Sequence, residues 1–145
     1  MKESFGSVFL YNVIILFIII TFSFLAGTLS YMKAFKVNSR IINAIEKYEG
    51  YNMASAVEIE SILSTLGYKQ ESPTCGVRNN AEAMPQIGVN TYLYCVYHHD
   101  YDSDPTLKQK DYYGVVTYMY FDFPIVGNVR IPLYSKTEKI YRFKV

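Results

Sequence analysis

Two cysteines, two adjacent histidines and a string of aspartates are the side chains here that could bind or react. Cys75 and Cys95 lie 20 residues apart. Bridged, they would close a loop worth about 3 kcal/mol in lost unfolded-state entropy. The bridge would pin the segment holding Pro73, Gly76 and Pro85 onto the strand that carries Cys95. Unbridged, Cys95 would simply fill core space. There is no Cys-x-x-Cys, and two cysteines with two adjacent histidines make a poor zinc set, so no metal or other cofactor is expected. His98-His99-Asp100 leads into Asp102 and Asp104, and with Asp111 at the twelfth place these acids have the spacing of a calcium loop. Pro105 stands where that loop needs glycine, Lys108 and Lys110 add cations, and Asp111 is shorter than the usual Glu. The segment therefore reads first as a solvated connection between strands.

Catalysis has little to stand on. No Ser- or Cys-centred nucleophile pattern accompanies His98 and His99, and no glycine-rich phosphate loop is present. Glu58 and Glu60 are two apart on a helical stretch and do not face each other. The expectation is a protein that is not an enzyme, with no small-molecule substrate identified.

The elements that carry these residues are unevenly distributed. The chain has 145 residues and a formal net charge of +1. From Ser4 to Met32, 29 consecutive residues bear no charge, and the 113 residues after Met32 hold 13 of the 14 Lys+Arg and 12 of the 13 Asp+Glu. That balance leaves no basic footprint, so no nucleic acid is expected as partner. With 24 aromatic residues the chain is too rich in Tyr and Phe to stay disordered.

Residues 8–32 read as a transmembrane helix after a short tail, 1–7. Their 25 residues span about 37 Å at helical rise, enough to cross a hydrocarbon layer of ~30 Å. The run is longer than the apolar core of a cleaved signal, and Thr28 stands where a lipoprotein box would need Cys. Ser23 and Gly27, and Ala26 and Ser30, are four apart, a spacing that lets helices approach closely in lipid.

Residues 33–145 read as the folded domain. Val37, Ile41, Ala44, Ile45 and Tyr48 recur at helical spacing, so the helix continues through 33–49, from about Ser7 to Glu49, with Gly50 as its stop. Ser55 and Glu58 have capping-box spacing ahead of Ile59, Ile62, Leu63 and Leu66, predicting a second helix over 55–66 closed by Gly67. An antiparallel sheet is expected within 90–143, its strands at 90–98, 112–123, 129–134 and 136–143. Pro132 marks an edge strand or a bulge. The fold class is α+β: a long helix, a short one, then a small sheet lying on the amphipathic half of the first. Thirteen tyrosines follow residue 32, a composition that serves interfaces as well as cross-strand pairs.

The side of the membrane is contested by two signals. Lys33, Lys36, Arg40 and Lys47 follow the apolar run, which by the positive-inside rule favours a cytoplasmic domain. A disulfide favours an extracytoplasmic one.

Phe5-Gly6-Ser7 precedes the apolar run, the helix runs to Glu49, and the closing strands read Val115-Val116-Thr117-Tyr118, Phe123-Pro124, Ile131-Pro132-Leu133 and Ser135-Lys136-Thr137. In this layout the chain resembles the TadE-like pseudopilins, type IV pilin-like proteins of tight-adherence pilus systems. The resemblance covers most of the chain and rests on layout and short local patterns. It implies a pilin-like fold, a domain outside the cell membrane, and other pilin-like subunits and pilus or secretion machinery as partners. It also implies peptidase processing between Gly6 and Ser7. Such a cut would place Tyr11 where that family usually has Glu, so the resemblance also allows an uncleaved, membrane-held initiator or accessory subunit.

Overall fold

The computed structural model describes residues 2–101, 110–123 and 127–141. Helix α1 covers Lys2–Lys47, 46 residues without a break. Helical backbone thus takes in residues 2–7 as well, expected as a tail. The helix ends in a Schellman turn: the Glu49 N–H donates to Glu46 O at 3.1 Å and the Gly50 N–H to Ile45 O at 2.9 Å. Glu49, not Gly50, takes the left-handed position, with φ 53°. Tyr51 is buried, with its hydroxyl 3.1 Å from that of Tyr94, and this anchor sets where the chain must leave the helix.

Helix α2 covers Met53–Thr65, two residues earlier than the expected start. Asn52 is its cap: Asn52 Oδ1 accepts from the Ser55 N–H at 3.0 Å, and Ser55 Oγ accepts from the Asn52 N–H at 2.8 Å. Ser55 is therefore the third-residue partner in the box rather than the cap. Asn is as good a cap as Ser, and here its backbone is already extended. Glu58 is freed to pair with Lys47 at 2.7 Å. Gly67, at φ +58°, closes α2 as expected, with the Tyr68 N–H on Leu63 O at 2.9 Å.

The strands are β1 (Ala83–Met84), β2 (Tyr94–Tyr101), β3 (Lys110–Phe123), β4 (Gly127–Lys136) and β5 (Ile140–Tyr141). All pairs are antiparallel in the order β1-β2-β3-β4, with β5 continuing along β3 past the end of β4. The expected start at Asn90 moves to Tyr94 because the backbone of 92–93 is engaged elsewhere. Gln86 brackets Tyr92, accepting from its N–H at 2.9 Å and donating to its carbonyl at 2.7 Å, while the Leu93 N–H donates to Lys69 O. β1 had no signal, being two residues long. Between β4 and β5, Thr137 Oγ1 accepts from the Tyr113 N–H at 2.9 Å and stands in for a ladder carbonyl. Pro132 lies on β4, which pairs with β3 on one side only. A ring that cannot donate costs nothing on a free edge.

Period-two alternation gives the sheet two faces. Tyr94, Val96, Tyr113 and Val115 point to the helices and pack on Val37, Ile41, Ala44 and Ile45 of α1 and on Ile59 and Leu63 of α2. Cys95, Tyr97 and Val116 point the other way and are covered by Cys75, Ala81 and Ala83 of the connection between α2 and β2. The α+β layout is therefore as expected.

Candidate functional site

The largest chemical feature is the bare half of α1. Every residue from 6 to 22 is exposed to the surroundings, although most are Ile, Leu, Phe and Val. Phe9 and Phe17 are each 71% exposed and Phe24 76%. The helix is long and apolar enough to cross a membrane once. A stripe this size has no soluble use unless something covers it.

The sheet reaches down into that half. Gly27 lies beneath Phe121 of β3, whose Cζ is 3.8 Å from where a Cβ would sit. Ser23, Gly27 and Ser30 are half-buried in line with buried Ala34, Val37 and Asn38, while Ala26 is exposed. Gly27, expected to meet another helix, thus meets its own chain, and Ser30 lines a cavity of about 120 Å³ with Lys33, Ala34, Tyr68, Tyr118 and Tyr120. Gly6 and Ser7 lie on the exposed first turns of α1, with no atom within 4 Å of a Cβ placed on Gly6.

Helix and sheet are locked by Asn38. Its Nδ2 is 3.2 Å from each of Val115 O, Thr117 Oγ1 and Leu133 O, joining α1 to both β3 and β4. Thr117 Oγ1 in turn donates to Ala34 O at 3.3 Å. Nothing in the sequence marked Asn38. It occupies a place on the apolar stripe, and an Asn there is the one available signal. Two of the cations after the apolar run also have local partners. Lys33 Nζ donates to Gly67 O at 2.8 Å, and Lys47 pairs with Glu58.

Cys75 and Cys95 form the disulfide, with Cα atoms 5.9 Å apart. It fastens the α2–β2 connection across the outer face. Beside it Tyr97 donates to Gly76 O at 2.9 Å, and the Arg78 guanidinium lies 4.3 Å from the centre of the Tyr134 ring. An open groove of about 210 Å³ runs here between Gly76, Val77, Arg78, Tyr97, Val116, Tyr118 and Pro132. Nearer the membrane end, Glu71 bonds Lys69 at 3.0 Å and Arg130 at 2.7 Å. These two cations, Lys69 first, hold its carboxyl below the usual carboxylate range. Burial pushes the Tyr68 and Tyr94 phenols up, so both stay protonated donors. Tyr68 uses its proton on Leu93 O at 2.9 Å and accepts from the Tyr118 N–H at 2.9 Å.

At the opposite end, Asp100 and Asp111 face each other across β2 and β3. His98 Nε2 is 3.4 Å from Asp100 Oδ1 and 3.5 Å from Asp111 Oδ2, and Asp111 is buried. The three candidate ligand atoms lie within 4.8 Å of one another. N···O separations of this length suit adjacent ligands of one divalent ion. The calcium spacing is flanked by paired strands, not by the two helices of a calcium hand. Asp102 and Asp104 lie outside the described residues. His99 points to the other face and stacks on Tyr112 at 4.7 Å. Its buried Nε2 has no hydrogen-bond partner among the described residues, and burial, then the neighbouring His98, lowers its pKa.

Comparison with known proteins brought no match to a family model, a curated protein or a solved structure.

Proposed function

We propose that this chain is a membrane-anchored, pilin-like structural or accessory subunit of a surface pilus or secretion apparatus, with its sheet domain extracytoplasmic. The observation that carries this reading is the two-part α1: one unbroken helix, bare and apolar over residues 6–22, then packed beneath an antiparallel sheet from Ala34 to Ile45. A helix built this way can hold a subunit in lipid and then pack against copies or relatives of itself, which is the mechanical task of a pilin-like protein. The TadE-like layout agrees with it. The disulfide supports an oxidising compartment. The engagement of Lys33 and Lys47 within the fold gives those cations a role apart from topology.

The test is a photo-crosslinker placed at exposed Phe17 in cells. The expected products are crosslinks to other pilin-like helices and a share of the chain in a filament or secretion-complex fraction. Crosslinks to lipid alone, with no such share, would overturn the reading. Labelling with a membrane-impermeant thiol reagent, before and after reduction, tests the side. Labelling only after the membrane is broken would put the domain in the cytoplasm.

A second reading rests on the His98–Asp100–Asp111 cluster: a monomeric, membrane-anchored binding or sensor domain responsive to a divalent ion. A zinc-dependent rise in Tm, lost in His98→Ala, would favour it.

A further inference from the structure

The contact between Gly27 and Phe121 fixes a depth. Gly27 is six residues before Lys33, the first charge after the apolar run, or about 9 Å along the helix. β3 runs antiparallel to α1, since Thr117 meets Ala34 and Phe121 meets Gly27. The β3–β4 pairing continues two residues further, to Phe123 opposite Gly127. Phe123 and Gly127 therefore lie beside helix that carries no charge.

Two limits bracket the bilayer surface. If hydrocarbon reached Lys33, the outer edge of β4, which no strand among the described residues pairs, would carry N–H and C=O groups into lipid, where each unsatisfied group costs several kcal/mol. If the headgroup layer ended before Ser23, exposed Phe24 and Leu25 would stand in water. A headgroup layer between about Ser23 and Gly27 leaves the uncharged residues 4–22, about 28 Å, within hydrocarbon. It also brings the groups that favour an interface to or just above that layer: Tyr31 on α1, Tyr120 and Phe121 on β3, and the cations Lys33, Lys69 and Arg130. Ile131, 47% exposed on the outer edge, continues this band.

We propose that the last paired stretch of β3 and β4, from Phe121 and Val129 to Phe123 and Gly127, rests in the lipid headgroup layer as a second membrane contact, so that the membrane surface is level with Gly27 and Phe121 rather than with Lys33. The occupant is the same bilayer that holds α1. Two contacts, a helix and a hairpin beside it, fix the tilt of the domain on the membrane, which a single helix leaves free. The proposal rests on the membrane-span part of the function above and is independent of the pilus part.

The chain contains no Trp, so each introduced Trp reports alone. Val129→Trp, opposite Phe121, and Ile131→Trp sample the hairpin. Ile18→Trp samples the span, and Val89→Trp, 93% exposed and held near Glu60, samples the far side of the domain. The full chain is reconstituted in phosphatidylcholine vesicles whose acyl chains carry bromine near the top or near the tail. Val129→Trp should lose emission mainly to shallow bromines, Ile131→Trp less, Ile18→Trp mainly to deep ones, and Val89→Trp to neither. If both hairpin reporters match Val89→Trp while Ile18→Trp is quenched, the proposal fails and the span stands. If Ile18→Trp is unquenched, the span and the proposal fail together. If Val129→Trp is quenched most by deep bromines, the surface lies nearer Lys33 and the depth assigned here is wrong.

Discussion

Asn38 Nδ2 lies 3.2 Å from Thr117 Oγ1, in a place where both residues are cut off from water. The same amide reaches carbonyls of β3 and β4, so one side chain sets how far α1 can slide along the sheet. Replacing it by Leu would leave Val115 O, Leu133 O and Thr117 Oγ1 short of a donor. Asn38→Leu should therefore lower stability by about 2–3 kcal/mol, and Thr117→Val by about 1 kcal/mol. Chemical denaturation of the detergent-solubilised chain measures both. Asn38→Asp should be worse than Asn38→Leu, because a buried carboxylate would face carbonyl oxygens.

The disulfide makes a second prediction. The Cys75–Cys95 bridge closes a loop with a sequence separation of 20, worth about 3 kcal/mol in the chain-entropy account. A paired Cys75→Ser, Cys95→Ala variant should lose about that much. Hydrogen exchange should then rise first in residues 75–83, since Tyr97 and Val116 alone would hold that cover. Unchanged exchange there would mean that the hydrogen bond from Tyr97 to Gly76 and the Arg78–Tyr134 stacking suffice.

Gly27 offers a graded test of the contact between hairpin and helix. A Cβ there would sit 3.8 Å from Phe121 Cζ, an ordinary van der Waals distance. Gly27→Ala should be neutral or slightly stabilising, by up to about 1 kcal/mol from helix propensity. Gly27→Leu has no room for its branched end and should lift the hairpin from α1. Protease susceptibility of the β3–β4 hairpin reads this, with the Leu variant cut and the Ala variant resistant.

His99 predicts a pH dependence. Its folded pKa is lowered, so between that value and the ordinary imidazole value near 6.5 the unfolded chain binds the extra proton and the folded chain does not. Stability contributed by the neutral form is complete above about pH 6.5 and declines as pH falls toward the folded pKa. Thermal unfolding between about pH 7 and 5 should show this slope. His99→Phe keeps the stack on Tyr112 and should flatten it. An equal slope in the variant would assign the titration to another group.

Much of the architecture was legible because it depends on local order. Apolar residues without charge declared the span, 3.6-residue spacing declared the buried face of α1 from Val37 to Ile45, and Gly67 declared the end of α2. Cap positions were harder. Ser55 with Glu58 and Asn52 with Ser55 both fit a capping box, and only the turn anchored by Tyr51 selects the second. β2 starts later than expected for a similar reason: Tyr92 and Leu93 alternate like a strand, but Gln86 and Lys69 take their backbone groups.

The sequence by itself determined the membrane-length apolar helix, its amphipathic continuation and the α+β order of elements, because each follows from composition or spacing within one segment. Tertiary structure alone decided which residues meet across segments. It brought Cys75 to Cys95, set Asn38 between two strands, gathered His98 with Asp100 and Asp111, and laid Phe121 on Gly27. Those pairings depend on strand register and on the angle at which sheet meets helix. No local pattern of residues encodes either, since both emerge only when two distant surfaces bury each other.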